Sequence, residues 1–319
     1  MIKMRQLERI TVNIKKNIIE LIGNTPLVEL GNFSKSMGLA RPILAKLEYL
    51  NPGGSSKDRP ALSLIRDAEA RGVLKPGGTI LEATSGNTGI GLARVAAVLG
   101  YKMIFTMSEA ASDERKMQLK MFGATLIFTP REMGTEGAIM KAMELREALG
   151  DNVFYTNQHD NRANADAHLH TTGPEIWNET DGKLDIVVVG EGTGGTITGV
   201  GEFLKSKNPN IQIISVKPDM SEAIGRAAPI PGLGSTYIPS IINHGVIDRT
   251  IEVQIEPAFE YQDKVTKTDG IFPGVSSGAV LCAATQVARE NPDKQILVIF
   301  PDSGERYTST LVKRQKDKP

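Results

Sequence analysis

One lysine lies in a loop whose composition is more typical of a ligand-binding or catalytic site than of a packed core. Lys57 lies in the segment Asn51–Pro60, which is rich in Gly, Ser and Pro, and an apolar segment with helical spacing follows from Ala61. Gly53 and Gly54 permit a sharp turn and a close approach to a ligand. The N-terminus of a helix disfavours a protonated lysine, and a lysine with a lowered pKa can form a Schiff base with an aldehyde. The structural alternative is an exposed lysine in a turn.

A second loop concentrates small polar residues between a strand and a helix. It reads Ala83-Thr84-Ser85-Gly86-Asn87-Thr88-Gly89. The hydroxyl groups of Ser85 and Thr88, together with backbone N–H groups, suit a bound carboxylate. Helix capping by Thr84 or Ser85 is the alternative, but a cap needs only one such residue.

A third loop, Gly190–Thr196, is rich in glycine and directly follows an apolar strand. This form predicts a phosphate cradle at a helix N-terminus. No lysine follows the glycines, so the loop is not a Walker A motif. It is also a poor dinucleotide fingerprint, because the ribose-binding acid expected about 20 residues further on is missing. A fourth polar loop, Pro301–Tyr307, follows another apolar strand.

The elements that must position these loops alternate between strand-like and helix-like segments, which predicts an α/β fold with mostly parallel sheets covered by helices. Three apolar runs are typical of strands buried on both faces: Ile186–Val189, Ile211–Val216 and Ile296–Phe300. Ligands in such sheets bind beyond the carboxyl ends of the strands, so we expect the loops to converge. We predict two domains, residues 1–160 with Lys57 and the Thr84–Thr88 loop, and residues 161–319 with the glycine-rich loop.

Length and composition exclude several classes of protein. The chain has 319 residues, 40% of them hydrophobic, which is enough for two domains with sizeable cores. Lys+Arg and Asp+Glu both total 37, so no net charge favours nucleic acid or an anionic membrane. No apolar run approaches the roughly 20 residues of a membrane span. The N-terminus lacks the features of a signal peptide, so we expect a cytoplasmic location.

Neither cysteines nor histidines predict a metal site. Cys282 is the only cysteine, which excludes a disulfide within the chain and a cysteine-based zinc site. The histidines show no metal-ligand spacing and no accompanying carboxylate pattern. They are His159, His168, His170 and His244.

An activated lysine, a carboxylate-binding turn and a cradle for one phosphate together fit the cofactor pyridoxal 5′-phosphate. Over nearly its whole length, the sequence resembles the cysteine synthase (O-acetylserine sulfhydrylase) and cystathionine β-synthase family of fold-type II pyridoxal-phosphate enzymes, and most of all the O-acetylserine sulfhydrylases. This resemblance implies a two-domain fold like that of the tryptophan synthase β-subunit. The matching segments are Glu20–Val28, Asn51–Arg59, Thr84–Gly91, Thr171–Trp177, Gly192–Gly199, Gly274–Ala279 and Ser303–Tyr307.

The resemblance implies a role for each loop. Lys57 would form the Schiff base with the cofactor and later move the α-proton of the substrate. Asn87 would bond the cofactor's 3′-hydroxyl group, and Ser303 would face its pyridine nitrogen. The cofactor phosphate would be held by Gly192, Thr193, Gly194, Gly195 and Thr196. The substrate carboxylate would be bound by Thr84, Ser85, Thr88 and Gln158.

The resemblance also implies the reaction, a β-replacement on O-acetyl-L-serine or O-phospho-L-serine through an α-aminoacrylate. Addition of sulfide would give L-cysteine in a ping-pong cycle. A neutral hydroxyl group at the pyridine nitrogen favours β-elimination and β-replacement, whereas the neighbouring Asp302 in that place would reverse this inference. Cystathionine or lanthionine synthesis, cysteine desulfhydration and serine dehydration use the same chemistry and stay open. The alternative from another class is a non-catalytic α/β protein that binds pyridoxal phosphate or a nucleotide.

The resemblance also implies an oligomeric state and points to residues that concern the choice of substrate. The family is usually homodimeric, and a segment at about residues 20–35 would pack on the second domain. The segment Gly225–Pro239 matches the family's loop over the substrate, and Arg226 within it is a candidate for binding a phosphate leaving group. Asp219 follows a Lys-Pro pair where the family usually shows Glu-Pro, which leaves the substrate open.

Overall fold

Two β-sheets, both flanked by helices, carry the fold, which confirms the predicted α/β class. The computed structural model describes residues 14–223, 228–234 and 237–317. The strands are β1 (Leu27–Leu30), β2 (Ile43–Leu47), β3 (Thr79–Ala83), β4 (Lys102–Ser108), β5 (Thr125–Thr129), β6 (Val153–Tyr155), β7 (Ile186–Gly190), β8 (Gln212–Pro218), β9 (Arg249–Val253) and β10 (Ile296–Phe300). The helices are α1 (Gly31–Ser36), α2 (Asp58–Ala70), α3 (Asn87–Leu99), α4 (Asp113–Met121), α5 (Gly134–Leu149), α6 (Ala163–Ala167), α7 (Gly173–Glu179), α8 (Gly195–Lys207), α9 (Ile255–Asp269), α10 (Val275–Glu290) and α11 (Thr308–Asp317).

The larger sheet has six strands in the order β1-β2-β10-β7-β8-β9. Its neighbouring strands are parallel except for β1, which is antiparallel to β2. The central strands β7 and β10 are almost wholly aliphatic or aromatic, and all of β10 is buried. These strands are therefore covered on both faces, as the continuous apolar runs predict.

The smaller sheet has four parallel strands in the order β5-β4-β3-β6. Its core includes Ile80 of β3, Phe105 of β4 and Leu92 of α3, which are fully or almost fully buried. The loop from β3 to α3 carries the small polar residues that the sequence singles out. The sheet therefore places that loop at the carboxyl end of a central strand.

The order of elements along the chain differs from their order in space. β1 and β2 precede the smaller sheet in sequence, yet they pair into the larger sheet, where Leu44–Leu47 lie beside Leu297–Phe300. The chain thus enters the larger sheet, leaves it to build the smaller one, and returns at β7. Residues 1–160 contribute strands to both sheets, and the division into domains near residue 160 stays a prediction.

A buried network of charges ties the start of α2 to the larger sheet. Arg59 donates to both carboxylate oxygens of Glu48 at 2.7 Å and to those of Glu175 at 2.6 and 2.7 Å. Lys46 of β2 lies 3.0 Å from Glu175. Burial raises the pKa of Glu175, but the hydrogen bonds and charge of Arg59 outweigh it and lower the pKa to about 2. Because Arg59 follows Lys57 by two residues, this network fixes the segment that carries the lysine.

In the described part of the chain, the longest helices are α5 and α10 with 16 residues each. A transmembrane helix needs about 20 predominantly apolar residues. No helix among the described residues is long and apolar enough to cross a membrane.

Candidate active site

The lysine loop folds as a tight turn against the segment that follows β10. The N–H of Gly54, which has φ +75°, donates to the Asn51 carbonyl at 2.7 Å. The Asp58 carboxylate accepts from the N–H of Gly53, where a Cβ would overlap that carboxylate. The Ser56 N–H donates to the Pro301 carbonyl at 2.8 Å. The loop is thereby held from both its own helix and the larger sheet.

Lys57 lies at the end of this loop and immediately precedes α2. Its side chain is half-buried, and within the described residues its amine has no hydrogen bond and no ion pair. Burial lowers the pKa of Lys57, while the charges of Asp302 and Glu48 oppose that shift. A lysine in this environment is more readily deprotonated and nucleophilic than a solvated one.

The glycine-rich loop forms the start of α8 and excludes side chains by its geometry. Gly194 adopts the left-handed conformation with φ +83°, and α8 begins at the next residue. A Cβ on Gly192 would lie 2.5 Å from the carbonyl oxygen of Gly232, and one on Gly195 would overlap Oδ1 of Asn164. The loop therefore needs glycine, and it presents the N–H groups of a helix N-terminus.

The hydroxyl groups of this loop are held from a neighbouring helical segment. Thr193 Oγ1 accepts from Asn164 at 3.1 Å, and Thr196 Oγ1 lies 3.2 Å from Nε2 of His168. Burial lowers the pKa of His168 well below its usual range, so the ring is neutral, and its Nδ1 bonds Thr172 at 2.8 Å. His168 thus positions Thr196. The described residues contain no group of three or more His, Cys, Asp or Glu side chains that could hold a metal ion.

One cavity brings the lysine and the glycine-rich loop together. Its lining includes Lys57, Gly192, Thr193, Gly194, Thr196 and Ser276. Lys57 and its neighbour Ser56 belong to the first half of the chain, whereas the other lining residues belong to the second half. The lysine loop, the glycine-rich loop and Pro301 at the start of the loop after β10 therefore meet at this cavity, whereas the Ala83–Gly89 loop is not part of its lining.

The small polar loop after β3 is linked to the loop that contains Gln158. Thr88 Oγ1 donates to Gln158 Oε1 at 2.6 Å, and Thr84 Oγ1 accepts from the Gly86 N–H at 3.1 Å. Ser85 is half-buried. These contacts bring the predicted carboxylate-binding residues of both loops into one group.

Glu82 supports this group and is a residue that sequence reasoning missed. It is buried in β3 and accepts hydrogen bonds from the Thr156 hydroxyl, the Ala83 N–H at 3.0 Å and the Gln158 N–H at 3.4 Å. Burial is the largest influence on its carboxyl and raises its pKa to about 7. An acidic residue inside an otherwise apolar strand, directly before a polar loop, was the available signal.

Asn87, at the start of α3, is held by two residues from the loop after β10. Its Nδ2 donates to Asp302 at 2.7 Å, and its Oδ1 accepts from Arg306 at 2.9 Å. Asp302 is buried and Arg306 is half-buried. Sequence reasoning considered Asp302 only as an alternative to Ser303 and did not consider Arg306, and it predicted neither contact with Asn87, because each contact joins positions more than 200 residues apart.

With this geometry established, comparisons with known proteins identify the family. Residues 18–302 match the family described as "Pyridoxal-phosphate dependent enzyme". The chain belongs to this family. It is 46% identical over 300 residues to a cysteine synthase of Staphylococcus aureus strain Mu50, with 92% of this chain and 96% of that protein covered.

Solved structures of family members have the same architecture. The cysteine synthase of Entamoeba histolytica superposes with a TM-score of 0.90 at 41% identity, covering 97% of this chain and 93% of that one. An O-ureido-L-serine synthase superposes with a TM-score of 0.88 at 37% identity, covering 96% of this chain and 97% of that one. The predicted fold-type II class and the predicted cofactor, pyridoxal phosphate, are confirmed.

The residues present fit the family's cofactor. Lys57 supplies an amine with a lowered pKa and no partner among the described residues. The cradle at Gly192–Thr196 leaves no room for a Cβ at several positions and presents helix N–H groups, which suit a phosphate. Lysine and cradle share one cavity, as a cofactor bound at both ends requires.

Two serines are placed differently relative to that cavity. Ser276, in the first turn of α10, lines it, whereas Ser303, before the short helical turn at Gly304–Tyr307, is not part of the lining. The contact of Ser303 with the pyridine nitrogen stays a prediction, and Ser276 becomes a second candidate. The Gly274–Ala279 motif was the sequence signal for it.

Two further positions from the sequence concern substrate choice. Arg226 lies outside the described residues. Asp219 accepts from the Ser221 N–H at 2.9 Å and so caps the short turn Met220–Glu222. Lys217, two residues earlier, pairs with Glu191 at 2.8 Å.

Proposed function

We propose that this protein is a cysteine synthase, which replaces the β-substituent of O-acetyl-L-serine or O-phospho-L-serine with sulfide to give L-cysteine. The observation that carries the proposal is the shared cavity of Lys57 and the glycine-rich phosphate cradle. The cysteine synthases of Staphylococcus aureus and Entamoeba histolytica, which cover nearly the whole chain, support the choice of reaction.

Each group of residues has a defined task in this proposal. Bound pyridoxal phosphate supplies an aldehyde for the lysine amine and a ring that withdraws electrons from the substrate's α-carbon. Lys57 holds the cofactor and then takes the proton from the α-carbon, for which its lowered pKa is suited. The cofactor phosphate is held by Gly192, Thr193, Gly194, Gly195 and Thr196.

The substrate carboxylate is bound by the group of residues around Thr88 and Gln158. Thr84, Ser85 and Thr88 contribute hydroxyl groups at the N-terminus of α3, where negative charge is favoured. The amide oxygen of Gln158 accepts from Thr88, and its NH₂ group, which uses one hydrogen on Glu82, has a second hydrogen for the carboxylate. Fixing the carboxylate here orients the α-carbon toward the lysine.

Assembly and location follow from the family resemblance. We infer a homodimer in the cytoplasm that acts on small amino-acid substrates, with sulfide or a thiol as the second substrate. Light scattering of the purified protein should give twice the mass of the chain, and the mass of a single chain would contradict the dimer.

The function is tested by the visible absorption spectrum of the purified protein with each donor in turn. O-acetylserine, O-phosphoserine, serine and cysteine are added separately, followed by sulfide, and L-cysteine is quantified. We expect a visible cofactor band that one activated serine shifts and that sulfide restores, with formation of cysteine. A protein that pyridoxal phosphate cannot colour, or one that forms no cysteine from either activated serine, would overturn the proposal.

A pair of lysine variants provides the control. Lys57→Ala should abolish cysteine formation, because both the attachment of the cofactor and the proton transfer need the amine. Lys75 lies on the surface after α2, and Lys75→Ala should behave as the wild type. Equal activity of the two variants would exclude Lys57 from the reaction.

A further inference from the structure

The side-chain amide of Asn87 is clamped at both of its ends. Nδ2 donates to Oδ2 of Asp302 at 2.7 Å, while Oδ1 accepts from Nη1 of Arg306 at 2.9 Å. Turning the amide over would place two donors together at Arg306 and two acceptors together at Asp302. The two contacts therefore permit only one orientation of this amide.

The clamp is itself anchored to its surroundings. Asp302 Oδ2 also accepts from the hydroxyl group of Tyr307 at 2.6 Å, and Asp302 pairs with Ser55 through an isolated β-bridge. Arg306 also donates to the carbonyl of Gly53 in the lysine loop. The loop of Asn87, the lysine loop and the loop after β10 are thus joined through a single set of hydrogen bonds.

Burial affects the pKa of both charged members of the clamp more than their neighbours do. Burial raises the pKa of Asp302, whereas Tyr307, Asn87, Arg306 and Lys57 act in the opposite direction. Burial lowers the pKa of Arg306, and the nearby carboxylates of Asp302 and Asp58 oppose that shift. Holding the half-buried Arg306 near the buried carboxylates of Asp302 and Asp58 costs desolvation energy. A contact between uncharged side chains would avoid this cost.

The clamp determines what Asn87 can offer to a ligand. An amide nitrogen carries two hydrogens, and Asp302 uses one of them, so one N–H remains. In the proposed function, Asn87 meets the 3′-oxygen of the cofactor. An oriented N–H donor stabilises that oxygen in its anionic form.

We propose that Asp302 and Arg306 are positioning residues that hold the Asn87 amide as a hydrogen-bond donor to the 3′-oxygen of pyridoxal phosphate. This inference rests on the proposed function, because it needs the cofactor in the cavity beside Lys57. It assigns a task to Asp302 and Arg306, which, like Asn87, are not among the residues that line the cavity, and which would act on the cofactor through Asn87.

The test compares Arg306→Met, Arg306→Lys and Asp302→Asn with the wild type, using two readouts other than activity. One is the dissociation constant of pyridoxal phosphate, measured by titrating the cofactor back into resolved protein. The other is the pH midpoint of the visible colour change at saturating cofactor. Arg249→Met is the matched control, because Arg249 makes a surface ion pair with Glu290.

We expect Arg306→Met to weaken cofactor binding about tenfold, as the loss of a charged hydrogen bond does. The pH midpoint should rise, since a free amide no longer favours the anionic oxygen. Arg306→Lys should recover part of both effects by keeping a donor near Asn87. Asp302→Asn frees the opposite end of the amide and should also weaken cofactor binding, but its midpoint is not compared, because the charge of Asp302 itself raises the pKa of Lys57.

The pH midpoint distinguishes a role in orienting the Asn87 amide from a role that only stabilises the surrounding loops. A merely structural role would weaken cofactor binding but leave the midpoint of the saturated protein unchanged. Midpoints that match that of Arg249→Met would overturn the clamp while leaving the proposed function intact. A wild type that develops no visible band with the cofactor would overturn both.

Discussion

Glu82 allows the electrostatics beneath the candidate site to be tested quantitatively. Its buried carboxyl accepts three hydrogen bonds, yet burial outweighs them and raises its pKa from 4.5 to about 7. Between these two values, the folded protein holds a proton that the unfolded chain has already released. The stabilising contribution is thus fully present below pH 4.5 and is lost as the pH rises through 7.

The size of the effect follows from the shift. Each pKa unit corresponds to about 1.4 kcal/mol, so the difference between 4.5 and about 7 gives about 3 kcal/mol. The substitution Glu82→Gln removes the titration and nearly keeps the shape. Relative to the wild type, the free energy of unfolding of this variant should rise by about 3 kcal/mol between pH 4.5 and 8.

Denaturant unfolding of both proteins over this pH range, with saturating pyridoxal phosphate, measures the difference. Any constant cost of replacing one acceptor oxygen by an NH₂ group cancels, because only the change with pH is used. Glu69→Gln is the control: burial raises the pKa of Glu69, but hydrogen bonds from Tyr101 and Arg66 outweigh it and lower the pKa. The control difference should therefore be flat above pH 5, and an equally flat difference for Glu82→Gln would refute the reasoning.

Two further predictions concern the frame of the site. Arg59→Met removes the ion-pair partner of the buried Glu48, leaves Glu175 with Lys46 alone, and should lower the free energy of unfolding by about 3–5 kcal/mol, whereas Arg66→Met at the surface should change it by less than about 1 kcal/mol. Denaturant unfolding measures the free energy of unfolding of both variants, and equal decreases would contradict a stabilising role of the buried charge network. Gly195→Ala should weaken pyridoxal-phosphate binding by at least about tenfold, because its Cβ would overlap Asn164. Gly31→Ala, with open space around the added carbon, is the control in a cofactor titration, and matching affinities would argue against the cradle.

The strands of the larger sheet were predictable wherever burial on two faces forces a continuous apolar run. The observed bounds of β10 equal the predicted Ile296–Phe300, and β7 extends the predicted Ile186–Val189 by one residue. β9 escaped notice, because this edge strand alternates polar and apolar residues and only its last residue is buried. The pairing of β2 with β10 spans about 250 residues, which no local pattern specifies.

The candidate site was predictable where a short sequence motif indicates what a loop can bind or catalyse. Glycines that cannot accept a Cβ and a lysine before a helix are visible as short motifs. The proposed role of Arg306 and Asp302 depends on their contacts with Asn87, more than 200 residues away, which no local pattern indicates. Glu82 was hidden for a different reason, since its role depends on the distant Gln158 loop that covers it.

The most direct test of the account is the identity of the lysine that holds the cofactor. The protein is saturated with pyridoxal phosphate, reduced with borohydride to make the linkage permanent, and mapped by peptide mass spectrometry. The account predicts one phosphopyridoxyl group per chain, on Lys57, and none in Lys57→Ala. A group on another lysine, or none on the wild-type protein, would contradict the central claim.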